Sequence, residues 1–273
     1  MKKIGLFLLT LVTLLAACKK TQQNTQTEKT HKWEFDKLSI DKKLAIKGDS
    51  TKDGATLSLE FNYPSGFEND SVLKLAQNMF VVNFAGDDYK NMPPKEAFDA
   101  FEKKLENELT EMGKLAVGDG VDILDYYNSV KTTVFDTTAI SITAKMYAES
   151  YTGGAHGAHQ TTYHTMDIRN RKILNEDILF KGGYKDQLTS LIREALKDYK
   201  NTMGDPITIL EPDSVAPNGN FYFNESGLVY VYNEYEVAPY SDGLVEAQIP
   251  YEKIKDLLNP DYQQMIDIKT KKE

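Results

Sequence analysis

Apolar and polar residues alternate from Leu57 to Tyr63, with Leu57, Leu59, Phe61 and Tyr63 on one parity and Ser58, Glu60 and Asn62 on the other. A period of two marks a half-buried strand, and Pro64-Ser65-Gly66 ends it. The period then lengthens. Val72, Leu75, Ala76, Met79 and Phe80 fall at helical spacing between Ser71 and Phe84, with Ser71 placed to cap the helix. Gly86-Asp87-Asp88 reads as loop. Pro93-Pro94 suits the start of a second helix, whose apolar stripe is Phe98, Phe101, Leu105, Leu109 and Met112, with its end at or near Gly113.

Residues 124–136 return to strand, with Tyr126, Val130 and Val134 on one parity. The cleanest alternation follows: Ile140, Ile142, Ala144, Met146 and Ala148 against Ser141, Thr143, Lys145, Tyr147 and Glu149. It runs into Tyr151-Thr152-Gly153-Gly154-Ala155-His156-Gly157-Ala158-His159, and Thr162, His164, Met166 and Ile168 continue as the partner strand. Asn170-Arg171 is a turn, Asn175–Phe180 a short helix, and Gly182-Gly183 a break. Tyr184, Leu188, Leu191, Ile192, Ala195, Leu196 and Tyr199 form the strongest amphipathic helix. Residues 201–220 show no period and read as loop. Phe221-Tyr222-Phe223, Asn224–Gly227 and Leu228–Tyr232 make a hairpin signature. An aromatic loop, Tyr235–Gly243, precedes a last strand at Leu244–Ile249 and a last helix at Tyr251–Leu258.

Helices and strands mix in both halves without strict alternation. The expectation is an α+β fold: two small subdomains of antiparallel strands with packed helices, joined through the Gly153-Gly154 loop. The division expected is 33–155 for the first subdomain, 156–260 for the second, and a frayed lysine-rich tail over 261–273.

The chain before Trp33 adds an address. Lys2 and Lys3 precede a largely apolar run of 14 residues, Ile4–Ala17. A bilayer-spanning helix needs about 20 residues, so residues 1–17 read as a signal peptide. The run ends Leu15-Ala16-Ala17-Cys18, a lipobox, and Cys18 is the sole cysteine of the chain. Acylation of Cys18 would tether the protein to a lipid bilayer, and an intrachain disulfide is excluded. Residues 19–32 contain no apolar side chain and read as a disordered tether reaching roughly 20 Å. Lys19 after the cysteine favours the outer membrane, facing the periplasm, if the host is Gram-negative.

The net charge is -9, and losing Lys2 and Lys3 with the signal peptide gives -9 - 2 = -11. Nucleic acid is an unsuitable partner for such a surface. A basic envelope protein or peptide suits it better.

Candidate chemistry concentrates at the central loop. His156, His159 and His164 suggest a weak metal site, but the spacing is not that of a helical zinc motif. The other reading is structural: Gly153 and Gly154 supply positive-φ geometry, and His156 bonds the loop or a carboxylate. Neither a Gly-x-Ser-x-Gly elbow nor a phosphate-binding glycine loop is present, and no cofactor is expected. Tyr222, Tyr230, Tyr232, Tyr235 and Tyr240 either pack the strands or form a platform for sugars or a protein partner.

Three stretches carry a family resemblance: Phe61-Asn62-Tyr63-Pro64, Tyr151-Thr152-Gly153-Gly154-Ala155-His156, and Tyr235–Gly243 followed by Ile249-Pro250-Tyr251. Together they resemble the RsiV-like family of bacterial envelope proteins. The first half is also similar to the PdaC accessory domain. The resemblance implies a PdaC-like half and an RsiV-like half, with a capacity to bind lysozyme. The candidate binding residues are Tyr151, Gly153, Gly154, His156, Tyr235 and Tyr240, on a lipoprotein with a ligand-binding or sensing role toward a cationic protein or a cell-wall glycan. The alternative is a cell-wall or glycan-acting hydrolase or deacetylase that uses the histidine loop.

Overall fold

The computed structural model describes residues 32–45, 54–118 and 126–270. The signal peptide, Cys18 and all of the tether before Lys32 lie outside them. In chain order the strands and helices are β1 (Glu34–Ala45), β2 (Gly54–Gly66), α1 (Asp70–Ala85), α2 (Pro94–Gly118), β3 (Tyr127–Thr137), β4 (Ser141–Tyr151), β5 (Ala158–Asp167), β6 (Lys172–Ile173), α3 (Glu176–Leu179), α4 (Lys185–Leu196), β7 (Phe221–Phe223), β8 (Gly227–Tyr232), β9 (Val245–Pro250), α5 (Tyr251–Ile254) and α6 (Gln263–Thr270). The class is α+β, with one six-stranded sheet ordered β1 to β6 and one three-stranded sheet ordered β7 to β9.

All pairs are antiparallel except β2 with β3. The exception has a cause in the connection. A parallel pair needs a long crossover, and α1 and α2 supply it. Asn69 begins α1, its side chain accepting from the backbone N–H groups of Ser71 and Val72. Ser71 is therefore inside the helix and is not its cap, a correction to the sequence reading. Helix α2 also passes the expected stop at Gly113. An isolated glycine costs a helix about 1 kcal/mol, and the turn beyond it offsets part of this by packing Ala116 against the first core.

The alternating positions of β2 point as the pattern requires. Leu57, Leu59 and Phe61 are buried under α1 and α2, where Phe61 stacks on Phe84 with ring centroids 4.5 Å apart. A second core gathers Leu188 and Ile192 of α4 with Leu228, Tyr230, Ala247 and Ile249 of the small sheet.

Two boundaries are corrected. The Gly153-Gly154 segment joins β4 to β5 within the one large sheet, in register from Ser141 with Asp167 to Ser150 with Ala158. It is a hairpin tip, so the expected division at 155/156 does not stand. The passage between cores falls later, since Ile173 packs on the first and Leu174 is buried in the second. The tail is not frayed over 261–270. Tyr262, Met265 and Ile266 are buried in the second core, and apolar burial outweighs the lysine-rich sequence that follows.

The two sheets meet along an edge. Among the described residues only Met166 and Asp167 of β5 pair with β6, and the rest of that side of β5 has no strand partner there. Two asparagines of the second unit supply it. Asn233 Oδ1 accepts from Thr161 N at 2.6 Å, and Asn220 Oδ1 accepts from Tyr163 N at 2.9 Å. Asn220 Nδ2 donates to Thr161 O at 2.8 Å. Open strand edges are prone to pair with other chains; here side-chain amides occupy this one. Tyr163, Val229 and Val231 pack beneath the junction.

Candidate functional site

The Asn233 bond also places the aromatic loop. Beyond Asn233 the chain turns back sharply, with Glu236 N donating to Asn233 O and Tyr235 N to Ala238 O, both at 3.0 Å. Tyr235 takes φ +68 in this turn, a left-handed conformation uncommon for a residue with a side chain. The turn lays Tyr235 and Tyr240 over the histidines of the β4–β5 hairpin.

The contact is close. The rings of His156 and Tyr240 stack with centroids 3.8 Å apart and planes 20° apart. Tyr235 lies 6.0 Å from Tyr240 and 6.1 Å from His156, centroid to centroid. His156 Nδ1 sits 2.7 Å from Gly157 O. A carbonyl only accepts, so Nδ1 carries the proton. In the neutral ring Nε2 then accepts from the Tyr235 hydroxyl at 3.0 Å. His159 faces Glu234, with Nδ1 2.9 Å from Oε1, and the Tyr240 hydroxyl is 3.4 Å from the same nitrogen. Glu234 is only 14% exposed.

Tyr147 stacks at 6.3 Å from His159 and donates to Glu149 Oε2 at 3.0 Å. Burial, helped by Glu149, pushes its hydroxyl up to about 12. Desolvation raises Tyr240 as well. Both phenols are thus held in the protonated form at neutral pH, in which they can donate hydrogen bonds. Two clefts flank His159. One, of about 400 Å³, includes Tyr147, Gln160 and Glu234. The other, of about 380 Å³, includes Asn128, Glu149 and Glu236.

The structure thus assembles most residues singled out in the sequence. His156, Tyr235 and Tyr240 form one patch, and His159 joins it. Gly153 and Gly154 have φ +98 and +97, as a glycine-built loop requires. Tyr151 stands slightly apart, its hydroxyl donating to Gly154 O at 3.1 Å and so holding the loop tip. His164 is not in the patch. It differs in parity from His159 on β5 and points to the other face of the sheet, where Asn83 Nδ2 lies 3.1 Å from its Nδ1. Burial holds its pKa below the ordinary histidine value. The three histidines do not converge, and among the described residues no group of three His, Cys, Asp or Glu is placed to hold a metal ion.

Glu234, Asn220 and Asn233 went unremarked in the sequence reading, and Tyr147 entered it only as a strand position, not as a site residue. The asparagines lie in stretches without period, and nothing local distinguishes Glu234 from other acidic residues.

Residues 177–252 match a family model described as Protein of unknown function (DUF3298). That segment carries Glu234, Tyr235 and Tyr240, whereas the histidines precede it. A solved member of the DUF3298 family from Bacteroides fragilis is 26% identical, covering 89% of this chain and 99% of that chain, with a TM-score of 0.74. A DUF3298 family protein from Pseudomonas aeruginosa, 11% identical, covers 85% of this chain and 97% of that chain with a TM-score of 0.51, a likeness of fold alone. No curated protein matches the chain.

Proposed function

We propose, for a chain that carries a DUF3298 domain and has structural neighbours in that family, a lipid-anchored envelope protein of RsiV-like kind that binds a cationic protein without transforming it. The binding surface is the His156–Tyr235–Tyr240 patch. The anchor is acylated Cys18, at the outer membrane where the host is Gram-negative.

One observation carries this reading. Tyr235 is 58% exposed, beside stacked His156 and Tyr240, and is held at a positive φ. An exposed ring kept in a costly backbone conformation is a feature that folding alone does not need. Glu149, Glu234 and Glu236 border the same patch. Aromatic faces beside carboxylates suit an arginine or lysine side chain, which gains from ring and charge together. The mature charge of -11 acts in the same direction at longer range.

The test is binding kinetics on immobilised protein, with lysozyme first and then a panel of basic envelope proteins. Association should slow between low and physiological salt, and Tyr235→Ala should mainly speed dissociation. Absence of binding across that panel overturns the reading.

The 2.9 Å pair of His159 and Glu234 supports a second reading. An imidazole oriented by a carboxylate is one arrangement of a general base, and it would serve a cell-wall or glycan-acting hydrolase or deacetylase. Turnover of peptidoglycan fragments that His159→Ala abolishes would establish this in place of the binding role.

A further inference from the structure

We propose that the free edge of β1 is a self-recognition surface, on which a second copy of this chain pairs antiparallel about a twofold axis at Ser39. The two large sheets then join into one, with the helices of both copies on the same face. This edge is separated from the β4–β5 hairpin by β2 and β3, and the inference does not depend on the role of the tyrosine patch.

Strand β1 ends the sheet order, and among the described residues it pairs only with β2. Its outer side makes no other backbone hydrogen bond there. The strand is 12 residues long, and every residue from Glu34 to Lys43 is exposed or half-buried. Its one irregularity falls at its start, between Glu34 and Phe35. Exposed edges are ordinarily kept short, bulged or covered, because their open N–H and C=O groups template another strand. The opposite flank of the same sheet is covered in this way, by the asparagine amides along β5.

Charges also guard an edge, by repelling a second strand. Those of β1 favour one register with their own copy. With Ser39 on the axis, Lys37 of each copy faces Asp41 of the other, and Leu38 faces Ile40. Both apolar residues lie on the helix side, packed against the first core. On the other side the Phe35 ring, 42% exposed, faces Lys43, a contact that suits a ring and an ammonium group. A shift by one residue sets Lys37 against Lys42 or Asp36 against Asp41. A shift by two sets Lys37 against Lys43, or leaves Lys37 facing Ser39 and Asp36 facing Ile40. Directly opposed pairs stabilise a sheet when their signs differ and destabilise it when they match.

The deciding pair is Lys37 with Asp41. Lys37 and Lys131 share Glu60, at 2.7 and 2.9 Å, which leaves one positive charge over on that face. Asp41 of the same copy stands four residues along the strand, about 13 Å away. Asp41 of the second copy stands directly opposite. The pairing of Asp36 with Lys42 adds little, because Lys42 already serves Glu102 and Glu106 at 2.7 and 2.8 Å. A second copy fits better than an unrelated peptide, since the signs along β1 match their own reverse.

The experiment is sedimentation equilibrium of the chain from residue 18 onward, carrying Cys18→Ser so that neither lipid nor disulfide joins two copies. One strand pair buries less than a standard interface, so the dimer is weak. A reversible monomer–dimer equilibrium is expected at concentrations up to about 1 mM. Asp41→Lys and Lys37→Asp, both at exposed positions, should each weaken it about tenfold by opposing like charges. Mixing the two variants should restore association, since each charge then faces its opposite in the other copy. A substitution that only loosened the fold would not be repaired by mixing. Tyr235→Ala should leave the equilibrium unchanged. The proposal is overturned by a chain that stays monomeric, by single variants that associate as the parent does, or by a mixture no tighter than either variant alone. A monomer that captures an unrelated extended peptide on β1 would assign the edge to another partner and overturn it as well.

Discussion

His156 lies flat on Tyr240, ring centroids 3.8 Å apart, and this contact closes the hairpin of the large sheet against the loop of the small one. The bond from Thr161 N to Asn233 Oδ1 at 2.6 Å sets its position. The patch is thus only as rigid as the edge of β5 that supports it.

Tyr235 separates strain from packing. Its φ of +68 is costly for any residue with a Cβ. Tyr235→Ala and Tyr235→Gly both remove the ring, but only glycine relieves the backbone. The glycine variant should therefore be more stable than the alanine variant by about 1 kcal/mol, while both bind the cationic partner equally weakly. Urea denaturation and binding kinetics on the two proteins check this. Equal stabilities would show that the turn is not strained.

Gly153 and Gly154 share a positive φ but differ in surroundings. A Cβ on Gly153 would lie 2.8 Å from the Tyr126 hydroxyl, whereas one on Gly154 would meet nothing within 4 Å. Gly154→Ala should cost about 1 kcal/mol from the backbone alone. Gly153→Ala should cost more, and the excess should shrink in a Tyr126→Phe background. Denaturant midpoints of the double-mutant cycle measure it.

Glu60 predicts an acid limb. It accepts from Lys37 at 2.7 Å and pairs with Lys131 at 2.9 Å, and these ammonium groups, Lys37 foremost, lower its pKa to about 2. A carboxyl depressed in the folded state stabilises above its unfolded value near 4.5 and loses that contribution as pH falls toward 2. Both lysines are half exposed, so the contribution should be about 1 kcal/mol. Glu60→Gln should lower stability at pH 7 by that amount and flatten the profile between pH 5 and 2, as read by thermal unfolding.

Helix α6 should be needed for the second core. Met265 is 2% exposed, and Met265→Ala should cost about 2–4 kcal/mol. Removing residues 261–273 should cost at least as much. Stability unchanged by the truncation would return the segment to the status of a tail.

Cys18→Ala should release the protein from membranes or leave it unprocessed. Fractionation with a fatty-acid label reads the outcome, and equal labelling of wild type and variant would remove the anchor from the proposal.

Strand parity was legible in the chain because it is local. Leu57, Leu59 and Phe61 had to face one way, and His164 had to leave the face of His159, whatever the strands paired with. The positive-φ glycines of the hairpin tip were legible for the same reason, as was the α+β class from the mixture of periods. Strand β1 was not. Its Leu38 and Ile40 stand among charged residues, since an edge strand buries little and needs little pattern. The parallel pairing of β2 with β3 and the later passage between cores depend on where α1 and α2 return the chain, which no window of sequence contains. The site followed the same rule. Its residue types were visible, but the stacking of Tyr240 on His156, the pairing of His159 with Glu234 and the asparagines along β5 belong to aperiodic segments. Their positions come from hydrogen bonds and ring contacts between distant stretches, and only the tertiary structure sets those.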